Sequence, residues 1–136
     1  MLQAIKVEIS KDWYYKYCGT SAEEMLQIFK DLFGYQFDLE SVIAKRQKHY
    51  QLLVNTVTEV RAVAEIVRSH HGKMPMAVAS GGERIVLEAT LNNIGLRHFF
   101  DVVVSIDDVE RGKPEPDIFL LASERLGVAL QDCIVY

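Results

Sequence analysis

A hydroxyl and two glycines end a short apolar run that begins at Met76. The residues are Ser80, Gly81 and Gly82, and a helical pattern starts directly after them. Because glycine has no Cβ, the backbone can turn tightly there, so its N–H groups and the helix N-terminus can face one small volume. Such a volume suits an anion, most naturally a phosphate. The same stretch, read from Ser80 to Glu83, also fits a capping box, so a purely structural role for the hydroxyl stays open.

Further along the chain, a lysine lies between a glycine and a proline. Lys113 follows Gly112 and precedes Pro114, whose ring stiffens the backbone on one side. In open parallel sheets, ligands bind just outside the carboxyl ends of the strands. We therefore expect Lys113 and the Ser80–Gly82 loop to converge on one negative group.

Length and composition limit what the chain can be. It has 136 residues, a net charge of −4 and 49% apolar residues, which is enough for one domain of ordinary size. Without a basic cluster, neither nucleic acid nor a membrane surface is predicted as a partner. The two cysteines, Cys18 and Cys133, match no metal spacing and favour reduced thiols in a cytoplasmic protein. The predicted partner is a small phosphorylated substrate, and the sequence sets no oligomeric state.

The N-terminal part reads as helices. Ser10 and Ser21 each precede a helical pattern, and Ser21 has Glu24 three positions later, as in a capping box. In the second helix the apolar positions Met25, Ile28, Phe29 and Leu32 recur on one face. A third helix is predicted from about residue 38 or 41 to residue 54, presenting Leu53 among its apolar positions. The periodicity weakens at residues 55–58, where we place a boundary.

After one more helix, near residues 60–70, the pattern changes to short strands alternating with helices. This alternation predicts a parallel sheet covered on both faces, an α/β fold. The predicted elements are a strand at 76–79, a helix at 83–94, a strand at 101–105, a helix at 116–126 and a strand at 133–136.

Three of these segments resemble the motifs of one family. The stretches at 78–82, 112–119 and 132–136 are similar to the second, third and leading part of the fourth motifs of the haloacid dehalogenase-like hydrolases. The resemblance is strongest to the branch that holds β-phosphoglucomutases and small sugar-phosphate phosphatases. It implies an incomplete Rossmann-like parallel sheet over residues 59–136 and an N-terminal helical cap domain over residues 1–58.

The same resemblance implies Mg²⁺-dependent hydrolysis of a small sugar phosphate through a phospho-aspartate. Ser80, the Gly81 N–H and Lys113 would take the phosphate-binding roles, with Ser80 and Lys113 as the catalytic residues that this chain supplies. Neither the nucleophilic aspartate motif nor the acidic Mg²⁺ ligands have a counterpart, so no metal residue is predicted. We expect the chain to be an internal piece of a longer hydrolase and inactive by itself.

The resemblance also implies substrate contacts in the cap, at Gly19, Thr20, Ser21 and, less directly, Arg46. Mutases of the branch have an arginine just after this serine to hold a second phosphate, whereas this chain has Ala22. A phosphatase is therefore favoured over a phosphomutase. The third alternative is a non-catalytic phosphate-binding fragment.

Overall fold

A computed structural model describes residues 9–136, so the start of the predicted cap domain, residues 1–8, lies outside the described chain. The described part contains six helices and two strands, joined by short 3-10 turns. The elements are α1 (Lys11–Lys16), α2 (Ala22–Phe33), α3 (Leu39–Leu53), α4 (Arg61–His70), β1 (Ala77–Ala79), α5 (Arg84–Asn93), β2 (Val102–Val104) and α6 (Asp117–Leu126).

The first three helices begin where the sequence predicts. Each is preceded by a short polar residue whose side-chain oxygen accepts a hydrogen bond from a first-turn N–H, one of the groups that a helix leaves unpaired at its start. The pairs are Ser10 with Trp13 N at 3.2 Å, Ser21 with Glu24 N at 3.1 Å and Asp38 with Ser41 N at 3.1 Å. These starts are confirmed.

The helices α1–α3 are here called the N-terminal helical unit. An aromatic cluster joins α1 to α2, and α3 packs against α2. Phe29 is buried, and the ring of Trp13 meets it edge-on at 5.4 Å between centroids. Leu26 is buried beside it, so the packed seam of α2 includes a position outside the predicted stripe. The prediction that Leu32 lies on the buried face is wrong, since this side chain is 60% exposed. Leu53 of α3 is likewise mainly exposed.

The second half of the described chain is built on a parallel pair of strands. β1 and β2 pair in register from Ala77 opposite Val102 to Ala79 opposite Val104. Helix α6 packs on this pair, and Val104 and Ile118 are fully buried at the contact. The strand-helix alternation is confirmed for these elements, and the architecture is an incomplete Rossmann-like α/β fold.

The part of the chain that the structure describes contains no strand at 133–136, where the sequence predicts one. Cys133 has extended backbone angles (φ −93°, ψ 141°), but within residues 9–136 no strand pairs with it. Ile134 is 77% exposed and Tyr136 is fully exposed. An apolar run becomes a strand only when a neighbour accepts and donates its ladder hydrogen bonds. The local pattern therefore predicted the backbone conformation but not the pairing.

The predicted division at residues 58 and 59 stays a prediction. A 3-10 turn at Val54–Thr56 follows α3 directly, and α4 begins at Arg61. Among the described residues, no helix is long and apolar enough to cross a membrane.

Replacing Ile118 with alanine should lower the free energy of unfolding by about 2 to 5 kcal/mol, because the fully buried side chain leaves a cavity against the sheet. Leu120 of the same helix is 43% exposed, and Leu120→Ala should cost only about 0.5 kcal/mol. Urea unfolding followed by circular dichroism measures both. Equal losses for the two variants would contradict this packing.

Candidate functional site

Ser80 begins the loop at the carboxyl end of β1. Its N–H donates to the carbonyl of Val104 at 3.0 Å, which extends the strand pairing by one residue. Its Oγ accepts from the N–H of Gly82 at 3.1 Å, and the Gly82 carbonyl accepts from Ile106 N at 3.3 Å. These bonds hold the loop in a tight turn between β1 and α5.

The capping-box alternative for Ser80 is wrong. Glu83, not Ser80, is the residue that precedes α5, and neither residue's side chain caps that helix. The hydroxyl turns back on its own loop because Gly82 N lies two residues on, within its reach. Ser80 is thereby held at the sheet edge and not inside the helix start.

Lys113 reaches the same edge. Its ammonium donates to the carbonyl of Ala79 at 3.1 Å, and Ala79 is the residue just before Ser80. The same Nζ lies 4.9 Å from the centroid of the Phe119 ring, whose face attracts a cation. The structure thus brings together the two elements that the sequence predicted to converge.

The loop that contains Lys113 is fixed at both ends. The guanidinium of Arg111 forms two hydrogen bonds to the carboxylate of Asp117, at 2.9 and 2.8 Å. Inside the loop, Glu115 N donates to the Gly112 carbonyl at 3.0 Å, and the peptide bond between Lys113 and Pro114 is cis. Fixing the backbone on either side restricts where the lysine side chain can point.

Two adjacent aspartates brace the start of α5 from the turn after β2. Asp107 accepts from the N–H of Arg84 at 2.7 Å and so supplies the cap that Ser80 and Glu83 do not. Asp108 accepts from both the N–H and the Oγ of Ser105, at 2.7 and 2.8 Å, and it pairs with the guanidinium of Arg84. Arg125 of α6 donates to the other oxygen of Asp108 at 3.1 Å.

These contacts determine the ionisation of Asp108. Burial raises the pKa of this carboxyl, but the hydrogen bonds from Ser105, Arg125 and Arg84 outweigh it and hold the pKa well below its ordinary value of 3.8. The carboxylate therefore stays charged at neutral pH and ties α5, α6 and the turn after β2 into one rigid support for the site.

Of the residues predicted for the substrate side, Gly19 and Thr20 lie against the Ser80–Gly82 loop. A Cβ added to Gly81 would overlap the carbonyl oxygen of Gly19 and would lie 3.4 Å from the carbonyl carbon of Thr20. The loop between α1 and α2 therefore rests directly on the backbone of Gly81. The hydroxyl of Thr20 donates to the carbonyl of Tyr17 at 2.9 Å.

Ser21 and Arg46 have other partners in this structure. Ser21 caps α2, and Arg46 forms an ion pair with Glu83 at 3.3 Å. Gln47 donates to the second oxygen of Glu83 at 2.7 Å. Sequence reasoning missed Glu83 as the link between the two halves of the described chain. Glu83 fits the apparent capping box, so the local pattern did not reveal its contacts with Arg46 and Gln47, which lie 37 and 36 residues away in sequence.

The described residues do not offer a site for Mg²⁺. In residues 9–136, no three or more His, Cys, Asp or Glu side chains lie close enough together to hold a metal ion. Asp108 is already engaged by arginine and serine groups. What these residues can do is position and neutralise an anion at the end of β1.

Comparison with known proteins supports this interpretation of the fold. A family model described as haloacid dehalogenase-like hydrolase matches residues 1–136. The fructose-1-phosphate phosphatase YqaB of Escherichia coli is 41% identical over 104 residues, covering 74% of this chain and 55% of that protein. The phosphorylated carbohydrates phosphatase of Thermotoga maritima is 30% identical over 131 residues, covering 93% of this chain and 60% of that protein.

A solved structure shares the fold. The β-phosphoglucomutase of Clostridium difficile superposes with a TM-score of 0.78 at 20% identity, covering 96% of this chain and 62% of that structure. Identity at this level supports the fold alone. The chain spans a little more than half the length of the phosphatases it matches.

Replacing Asp108 with asparagine should lower the free energy of unfolding by about 2 kcal/mol at neutral pH, because charged hydrogen bonds to two arginines are lost. Because the folded pKa is depressed, the native carboxylate stabilises the fold above its unfolded pKa and loses this contribution as pH falls below about 4.

The difference between the native chain and Asp108→Asn should therefore shrink as pH is lowered through this range. Urea unfolding at a series of pH values measures it. A difference that stays constant from neutral to acid pH would contradict the ionic role of Asp108.

Proposed function

The chain belongs to the haloacid dehalogenase-like hydrolase family, and on this premise we propose that the whole protein is a phosphatase that hydrolyses a small sugar phosphate. In this proposal the chain contributes the phosphate-holding side of the active site. Ser80, the Gly81 N–H and Lys113 bind the phosphoryl group, and Ser80 and Lys113 are the catalytic residues of this chain.

One observation carries the proposal. The ammonium of Lys113 donates to the carbonyl of Ala79, immediately before Ser80, so a cation and a hydroxyl lie at the same strand end. An ammonium has three N–H donors, and Lys113 can keep this bond while donating to a phosphate oxygen. The Oγ of Ser80 already accepts from Gly82 N, which leaves its own proton to donate.

These groups supply charge neutralisation and position. A phosphoryl group in transfer spreads negative charge over its outer oxygens, and fixed donors stabilise that charge without reorganising. Lys113 offsets part of this charge, while Ser80 and the Gly81 N–H fix the position of the phosphorus atom. The bracing of the Lys113 loop by Arg111 and Asp117 supports such preorganisation.

Magnesium dependence and a phospho-aspartate intermediate belong to the proposal through the family resemblance. When bound, Mg²⁺ offsets the repulsion between an anionic nucleophile and an anionic phosphate. Among the described residues none form a site for it, so we assign this chain no step that passes through the metal.

A sugar phosphate is favoured as substrate because two relatives are named for phosphorylated carbohydrates. We propose that Gly19, Thr20 and Ser21 line the substrate side, which the contact between Gly19 and Gly81 supports. Arg46 is proposed there as well, although its guanidinium pairs with Glu83. Ala22, the first residue of α2, favours a phosphatase over a phosphomutase.

Free thiols at Cys18 and Cys133 support a cytoplasmic location.

Lys113→Ala should weaken the binding of inorganic phosphate to the chain and lower kcat/KM for fructose 1-phosphate in the whole protein by about 100-fold, because Lys113 is the one charged group among the three proposed phosphate-binding groups of this chain. Phosphorus NMR titration measures the binding, and phosphate release in the presence of magnesium measures the turnover.

Lys73→Ala is the matched control, since Lys73 is exposed before β1, at the opposite end of the strand. It should leave both quantities unchanged. Phosphate binding that survives Lys113→Ala would overturn the proposed site, whereas binding that is lost in a protein without turnover would favour the non-catalytic alternative.

A further inference from the structure

Helix α3 of the N-terminal helical unit and the segment that follows it contact α5, and polar groups meet at this contact. The Tyr50 hydroxyl forms a hydrogen bond with the hydroxyl of Thr90, and the Asn93 side chain donates to the carbonyl of Val57 at 2.9 Å. A further polar contact is made by Glu83, the residue that precedes α5 and lies three positions after Ser80.

Both carboxylate oxygens of Glu83 accept hydrogen bonds from side chains of α3. One accepts from Arg46 at 3.3 Å and the other from Gln47 at 2.7 Å, and the Glu83 side chain is only 16% exposed. A half-buried carboxylate with two partners on another element is held more firmly than a surface pair.

Although Glu83 directly precedes α5, its side chain does not cap this helix. A carboxylate at a helix start ordinarily interacts with the first-turn N–H groups of its own helix. Here Asp107 accepts from Arg84 N instead, and Glu83 forms no cap bond. Its side chain is therefore free to turn toward α3.

From this arrangement we infer that Glu83 is a positioning residue, which holds the helical unit over the Ser80–Gly82 loop through Arg46 and Gln47. When α3 is docked in this way, the carbonyl of Gly19 rests on Gly81. The inference rests on the proposed function, because covering this loop matters for activity only if the loop binds phosphate.

The consequence is a coupling between docking and anion binding. The Gly19 carbonyl that contacts Gly81 takes the place of water on that side of the loop, and the electrostatic attraction between Lys113 and an anion is stronger in the lower dielectric that results. By linkage, an anion held at the loop must in turn favour docking. Glu83 thus acts on the site through the position of α3, without touching the substrate.

The test is a charge reversal at Arg46. Arg46→Glu places two carboxylates against each other, and like charges in contact cost enough to loosen docking. Amide hydrogen exchange of the 136-residue chain, read by mass spectrometry, should become about tenfold faster at residues 19–21 and 80–83. The conservative variant Arg46→Lys keeps the positive charge and should stay within about threefold of the native rate.

A matched control uses an ion pair outside the contact. Arg68 of α4 pairs with Glu59, so Arg68→Glu creates the same kind of repulsion away from α3 and α5. It should leave exchange at residues 19–21 and 80–83 at the native rate. Urea unfolding of the same variants separates local undocking from a general loss of stability.

Phosphorus NMR titration with inorganic phosphate completes the test. Gln47→Glu also places a second carboxylate against Glu83, at a residue outside the proposed substrate contacts, and it should weaken binding about tenfold. Native exchange rates in Arg46→Glu, or rates in Arg46→Lys as fast as those in Arg46→Glu, would overturn the role of Glu83. If the native chain binds no phosphate while the exchange rates change as expected, the proposed function fails and the docking role stands.

Discussion

The site depends on one hydrogen bond, from the ammonium of Lys113 to the carbonyl of Ala79. A strand end leaves its last carbonyls without a ladder partner, and a lysine that satisfies one of them is anchored beside the loop that follows. In our proposal, this cation and the Ser80 hydroxyl together form a site for an anion. Without the Lys113 ammonium beside it, the Ser80–Gly82 loop would be an ordinary tight turn before a helix.

The rest of the described structure can be understood as support for that arrangement. The parallel pairing of β1 and β2 sets where the two loops emerge. Asp108 ties the turn after β2 to α5 and α6 through two arginines, and the Arg111–Asp117 pair fixes the loop that holds Lys113. Glu83 then connects this support to the N-terminal helical unit. Each connection joins a different pair of elements, so the geometry at the end of β1 is determined from several directions.

Much of this could be predicted from local patterns. Helix starts at Ser10 and Ser21 were predictable because a cap is decided by neighbouring residues. The strands of the sheet were predictable because short apolar runs alternate with helical patterns. The approach of Lys113 to the end of β1 was predictable because ligands of open parallel sheets bind at the carboxyl ends of the strands. What failed depended on partners distant in sequence. Leu32 is exposed, and residues 133–136 find no strand partner within residues 9–136, because burial and pairing require a neighbour that a local pattern does not reveal. Glu83 was misread for the same reason, since its partners lie on α3.

The most direct test of the central claim is a crystal structure of the chain with inorganic phosphate bound. Our account predicts one phosphate whose oxygens lie within hydrogen-bond distance of Ser80 Oγ, Gly81 N and Lys113 Nζ together, at the carboxyl end of β1. A phosphate bound elsewhere, with Lys113 still contacting only Ala79 and Ser80 only Gly82, would contradict it.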